Sequence, residues 1–293
     1  RRDENGKWYD AGKRPDSLSS NNAFETLPMD VNAKNILTVG AVFGIASGYS
    51  KKEDAIITSF SSWGPTDDGR IKPDIVTDGQ SVYSTTSNND SSYGYSSGTS
   101  MASPGAAASL FLLQELSQQI VPNKFMRSAT IKGLAIHTAN EAGLFPGPDY
   151  KFGWGLLNAK KAAQTITNNG LDSWISEENL SQGETFTMSF VSEGGANNPL
   201  IASITWTDVP GVAKTNTVEN ETTAALINNL DIKVTRNGTT YYPWRLDVAS
   251  PTSPALRDGD NNVDNVEVIK IDAPVAGNYV ITVTHKGNLV TGG

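Results

Sequence analysis

Gly98-Thr99-Ser100-Met101-Ala102-Ser103-Pro104, continued by Gly105-Ala106-Ala107-Ala108-Ser109 and Leu110-Phe111-Leu112-Leu113, is the stretch on which the reading of the whole sequence turns. Small side chains followed by leucines let a helix pack closely on every side, so the pattern predicts a buried helix from Ser100 to about Leu116. Gly98 gives a permissive backbone at the entry, Thr99 and Ser100 are favourable N-terminal residues, and Pro104 lies early enough to be tolerated. Ser100 is therefore expected where unsatisfied backbone N–H groups and the positive end of the helix dipole converge, a place that can stabilise an oxyanion. A lone Gly-Thr-Ser would read better as a simple helix cap. The seven-residue string is far more specific.

That string resembles the nucleophile motif of the subtilisin-like serine peptidases. Further segments resemble the same family in the same order: Asn35-Ile-Leu-Thr-Val-Gly-Ala-Val42, Ser59-Phe-Ser-Ser-Trp-Gly-Pro65, Arg70-Ile-Lys-Pro-Asp-Ile-Val76, Val82-Tyr-Ser-Thr85 and Tyr150-Lys-Phe-Gly-Trp-Gly-Leu-Leu-Asn-Ala159. Roughly half of the chain is covered. The resemblance implies an α/β fold, part of a subtilisin-like parallel-sheet domain, and a serine endopeptidase that cuts peptide or protein substrates through an acyl-enzyme on Ser100. It implies Thr99 as support for the oxyanion and Tyr95, Ser96, Ser97 and Gly98 as one wall beside the first substrate pocket. It also implies a secreted or cell-envelope location, and no cofactor for the chemistry.

A serine hydroxyl is a weak nucleophile until a base takes its proton, and that base, a histidine, needs a carboxylate to fix its tautomer. The family orders the three as Asp, His, Ser. No histidine precedes Ser100, and the chain has only His137 and His285. His137, near the end of a helix, suits a cation or backbone bond there; His285 continues a strand face. Residues 1 to about 34 match a loop that follows the family's oxyanion asparagine, and Asn5, Asn21 and Asn22 do not follow a buried strand. The expectation is that Asp, His and oxyanion Asn belong to a preceding segment, the missing N-terminal half of the peptidase domain, and that this chain alone is inert. The alternative is a catalytically inactive subtilase-like protein that binds or scaffolds.

Bulk properties bound the rest. At 293 residues the chain suggests two domains, each large enough for a core. A net charge of −8 without Lys/Arg clusters argues against a nucleic-acid groove. The chain has no cysteine, which excludes a disulfide framework and thiolate chemistry, and no apolar run long enough to span a membrane. Arg1-Arg2-Asp3-Glu4 is no signal peptide.

Along the chain, residues 1 to about 34 read as a polar surface loop, with Asn5-Gly6 a tight turn. Ile36 to Val42 and Ala55 to Phe60 are β-branched runs without alternation, as in strands buried on both faces of a parallel sheet. Pro122-Asn123 opens a helix from about Lys124 to His137, and Asn158 caps another from about Ala159 to Ile166. Asn168-Asn169-Gly170 ends it and marks a boundary between domains spanning 1–168 and 171–293. Beyond it, Thr185 to Val191, Ile201 to Trp206, Leu230 to Val234, Val266 to Ile271 and Tyr279 to His285 alternate or run apolar. They predict an all-β jelly-roll or sandwich domain. Residues 229–244 and 262–267 resemble the β-sandwich module that trails the catalytic domain in one group of these peptidases. An adhesive or carbohydrate-binding role for 171–293 is a further rival, one that leaves the Ser100 motif unexplained. Asp258-Gly-Asp-Asn-Asn-Val-Asp264 places carboxylate or amide oxygens at alternate positions, a spacing that suits calcium with Asp258, Asp260 and Asp264 as ligands, though a solvated acidic turn fits it too. Asn89-Asp-Ser91, Asn220-Glu-Thr222 and Asn237-Gly-Thr239 have the glycosylation-acceptor pattern, which arises often by chance.

Overall fold

In the computed structural model, residues 24–212 and 222–290 are described; the Asn5-Gly6 turn, Asn21, Asn22 and Asn220 lie outside them. Strands β1 (Val39–Val42) and β2 (Ile75–Asp78) pair in parallel, Val39 opposite Ile75 and Val42 opposite Asp78. Ala41, Val42, Ile75 and Val76 are almost wholly out of solvent, as the unbroken β-branched runs predict. Ala55 to Phe60 does not form the expected strand. It follows a 3-10 turn, Lys52–Asp54, and makes a single bridge, Ile57 to Val42. Thr58 N–H donates to Ala41 O and Phe43 N–H to Ile56 O around that bridge, but Ala41 N–H is taken by the Ser61 hydroxyl, so a side chain holds the bond that would extend the ladder.

After β2 the chain turns through an antiparallel hairpin, β3 (Val82–Thr85) and β4 (Tyr93–Ser96), into helix α1 (Thr99–Ile120). α1 is longer than its predicted span, and it is not buried on every side. Ala102, Ala106 and Leu113 face inward, whereas Phe111 and Leu112 are 77% and 66% exposed. The described residues supply packing partners on one face only. There α1 meets β2 and the helices α2 (Ser128–His137) and α3 (Ala159–Thr167), with Leu113, Leu134, Ala162 and Ile166 in one cluster. α2 starts later than predicted because Met126 is held by the Gln114 side chain and Arg127 N–H donates to Glu177 Oε1. The predicted cap of α3 is present: Asn158 Oδ1 accepts from Lys161 N at 2.9 Å.

The later strands form two antiparallel sheets. β5 (Phe186–Ser192), β7 (Asn229–Arg236), β8 (Thr239–Tyr241) and β10 (Gly277–Lys286) make one, in the order β5-β10-β7-β8; β6 (Leu200–Thr205) and β9 (Val266–Ile271) make the other. Alternation along β6 and β9 gives the small sheet two buried faces. Leu200, Ala202, Ile269 and Ile271 share a cluster with Ile232, Val234, Tyr279 and Val283 of the larger sheet. Val266 and Val268 instead join Ile71, Ile75, Ala106, Ala135 and Trp154. One core therefore runs on from the α/β part into the β part. Lys34 Nζ donates to Asp208 Oδ2 across the same junction, both groups buried.

Glu267 lies on the inner face of β9 with no exposed surface. Oε2 accepts from Ile232 N at 2.8 Å and Oε1 has no partner among the described residues. Burial pushes its pKa up to about 9, against the bond from Ile232 and with the help of the Asp231 and Asp260 charges. The folded state thus holds a proton that the unfolded state releases above its ordinary value, about 4.3. Stability falls as pH rises through that window and levels off above pH 9. Glu267→Gln has no proton to lose, so it is expected to raise Tm by several degrees at pH 8, with the gain shrinking toward pH 4.5. Calorimetry that finds the same wild-type-to-variant difference at both pH values would refute a protonated Glu267.

Candidate active site

The candidate site forms where β2 hands over to α1. Gly79 N–H donates to Val42 O, and Gly79 O accepts from Gly98 N at 2.8 Å, which draws the end of the hairpin back onto the strand. A side chain at Gly79 would meet the Ala41 Cβ at 2.7 Å and Gly98 O at 2.8 Å, so this approach is open to glycine alone. Gly98 has φ 151°, also glycine territory, and its carbonyl accepts from Met101 N and Ala102 N to start the helix. Thr77 Oγ1 donates to Ala102 O at 2.8 Å and pins the first turn to β2.

Ser100, the second residue of α1, is exposed. Neither its N–H nor its hydroxyl has a bonding partner among the described residues, so a free donor and a free nucleophile stand side by side at the positive end of a 22-residue helix. Thr99 precedes it, half-buried. Tyr95 and Ser96 end β4, both exposed, and Ser97 accepts Ser81 N through its hydroxyl at 2.8 Å. The hairpin thus brings Tyr95, Ser96, Ser97, Gly98, Thr99 and Ser100 along one edge. Sequence reasoning missed Tyr83, whose ring packs with that of Tyr95, and Tyr93, whose ring packs with that of Tyr83; the alternation Tyr93-Gly94-Tyr95 was the available signal.

Neither histidine joins this edge. His137 closes α2 and its Nδ1 lies 2.9 Å from the Ser203 hydroxyl on β6; burial pushes its pKa down to about 4, so the ring is neutral and structural. His285 Nε2 accepts from Gly183 N, and Nδ1 therefore carries the proton toward Gly287 O. The three acidic residues with calcium spacing are engaged separately. Asp258 takes a two-pronged bond from Arg245, Asp260 pairs with Lys233 and Lys286, and Asp264 accepts from Ile71 N and Asn261 Nδ2. Among the described residues no three His, Cys, Asp or Glu side chains form a group able to hold a metal, and no helix is long and apolar enough to cross a membrane.

Sequence comparison matches residues 5–155 to the Subtilase family. The chain is 28% identical over 284 residues to the serine protease/ABC transporter B family protein tagD of Dictyostelium discoideum, covering 72% of this chain and 15% of that protein. It is 33% identical over 157 residues to C5a peptidase of Streptococcus pyogenes serotype M6, covering 49% of this chain and 13% of that one. The chain thus spans about one seventh of the length of these relatives. Among solved structures, the CspB protease of Clostridium perfringens is 24% identical with a TM-score of 0.41, covering 50% of this chain and 30% of that one. The serine protease of Aeromonas sobria is 14% identical with a TM-score of 0.33, covering 86% and 51%.

Proposed function

The chain belongs to the subtilase family of serine proteases, and from that premise we propose that Ser100 is the acyl-accepting nucleophile of a serine endopeptidase completed by residues outside this sequence. The observation that carries the proposal is the free N–H and free hydroxyl of Ser100 at the exposed start of α1. A scissile carbonyl set against Ser100 Oγ would have its developing oxyanion beside Ser100 N–H, where the helix dipole favours negative charge. A histidine supplied by the completing segment would take the hydroxyl proton and later give it to the leaving amine, with an aspartate holding its tautomer. An asparagine of that segment would be the second oxyanion donor, with Thr99 in support. Tyr95, Ser96, Ser97 and Gly98 would line the substrate beside the first pocket.

Two observations favour a completing segment over a finished but altered site. The chain's own histidines are committed to Ser203 and to Gly183 and Gly287, and the outward face of α1 presents Ala107, Ala108, Phe111 and Leu112 to solvent. Such a patch on a helix whose other face is core is a surface made to be covered. On this reading residues 1–168 are the C-terminal part of the peptidase domain and 171–293 a β-sandwich module, in a protein that works outside the cell or on its envelope.

A fluorophosphonate that labels activated serines tests the proposal. The chain alone should take up essentially none; a protein that also contains the completing segment should be labelled at Ser100 and nowhere else, as peptide mapping reads out. Absence of label on the complete protein would favour the inactive, scaffolding alternative.

A further inference from the structure

We propose that the tyrosine face of the β3–β4 hairpin is a subsite for an arginine or lysine side chain of the peptide offered to Ser100, an inference that rests on the reading of Ser100 as the nucleophile. Pairing sets Tyr83 opposite Tyr95 and Thr85 opposite Tyr93. Directly opposed residues share a face, and residues two apart along a strand do too, so all three rings stand on one side of the hairpin. The Tyr83 centroid lies 5.0 Å from that of Tyr95 and 5.7 Å from that of Tyr93. The rings are 60%, 75% and 58% exposed for Tyr83, Tyr95 and Tyr93. The opposite face carries only Val82, Ser84, Gly94 and Ser96, so the hairpin is not a lid over a core.

Grouped ring faces attract cations, because the π quadrupole presents negative charge. The surrounding charge points the same way. From Pro73 to Asn123 there is no lysine or arginine, while Asp78 and Asp90 are exposed and without an ion pair among the described residues. Elsewhere the chain fills such positions itself: Lys151 Nζ lies 4.0 Å from the Trp63 ring centre, and Arg257 lies 4.3 Å from that of Trp244. No cation of the described chain sits over Tyr83, Tyr93 or Tyr95. The place is also within reach of the chemistry. Tyr95 stands five positions before Ser100, at most about 17 Å of extended chain, a span that about five residues of an extended peptide cover. A substrate lying along this edge therefore carries a side chain over the rings, and the chemistry of the rings favours a guanidinium or ammonium there.

Fluorescence anisotropy of labelled octapeptides titrated with this chain tests the subsite. The peptides are alanine-based and differ only at one central pair, which is Arg-Arg, norleucine-norleucine or Glu-Glu. The arginine peptide is expected to bind about fivefold or more tighter than the norleucine peptide, with the glutamate peptide weakest. The preference should vanish in Tyr83→Leu and Tyr95→Leu, which keep apolar area but lose the π face, and survive in Tyr83→Phe, which keeps it. Circular dichroism checks that each variant folds, and the phenylalanine variant keeps the test decisive if a leucine variant does not. Equal or undetectable affinity for the arginine and norleucine peptides would overturn the subsite, as would a preference retained by both leucine variants, since the overall negative charge alone would then explain it. Binding does not need the Ser100 hydroxyl to be activated. A basic preference without fluorophosphonate labelling of the complete protein would sink the nucleophile and leave the subsite, and labelling without a preference would do the reverse.

Discussion

Ser100→Ala in the complete peptidase is expected to lower kcat by a factor on the order of 10⁶, with KM nearly unchanged. The magnitude is that of subtilisin itself and is carried over by family membership. The geometry explains why the loss should fall on turnover alone. The Ser100 hydroxyl bonds nothing in the described structure, and its side chain is exposed, so removing one oxygen neither opens a cavity nor strands a partner. Alanine is the best helix former, and the α1 start is held by Gly98 O and Thr77 rather than by Ser100. Melting temperature and peptide binding should therefore match the wild type while hydrolysis disappears. Such a split is characteristic of a group that acts only in the transition state. A variant that keeps more than about one percent of wild-type kcat would rule Ser100 out as nucleophile, because the surviving oxyanion donor leaves only a small residue of catalysis over water.

The sequence carried the local parts of this site and hid the distant ones. Ser100 at a helix start, Asn158 as a cap and the period-two strands of the β part each depend on residues within a few positions of one another, and the structure has all of them. The exposure of Phe111 and Leu112 depends on what packs against α1 in three dimensions, so a run of small and apolar residues could only suggest burial. The partners of the 258–264 carboxylates were hidden in the same way: Arg245 pairs with Asp258, Lys233 and Lys286 pair with Asp260, and Ile71 N–H donates to Asp264, none of which the spacing announces. The hairpin escaped as well, since Ser, Thr and Asn fill β3 and its turn and leave no apolar alternation beyond the tyrosines. A real change of period at 168–171 still hid a continuous core. Lys34 and Asp208 stand 174 positions apart in a buried pair, and no local pattern announces such a contact.

The largest structural effect is expected at Asp74, the single carboxylate shared by two buried ammonium groups. Lys72 Nζ donates to its Oδ2, Lys132 Nζ lies 3.2 Å from its Oδ1, and Thr38 N–H bonds Oδ2 at 2.6 Å. Both lysines are about as buried as the aspartate, and each has one further acceptor, Ile36 O for Lys72 and Lys34 O for Lys132. Burial alone would push the Asp74 carboxyl up, but Lys132 and Lys72 outweigh it and hold the group below the usual carboxylate range. Burial dominates for Lys72 and pushes it down to about 8 even beside Asp74. Asp74→Asn keeps the shape and the Thr38 bond while leaving two buried cations without a counter-charge. Breaking a buried pair in this way costs about 3–5 kcal/mol, enough to lower Tm by on the order of 10 °C in a chain of this size. The sign with pH follows from the depressed value. The stability that Asp74 contributes is fully present above its unfolded pKa, near 3.9, and is lost as pH falls through the lower folded one, so wild type and variant should converge in strong acid. Because Asp74 N–H also bonds Thr38 O at the start of β2, the loss would loosen the sheet on which the Ser100 turn is built, and in the complete protein labelling at Ser100 should fall along with stability. A variant that melts within about 1 kcal/mol of the wild type at pH 7 would mean that water reaches the lysines and that this charge triad does not hold the sheet together.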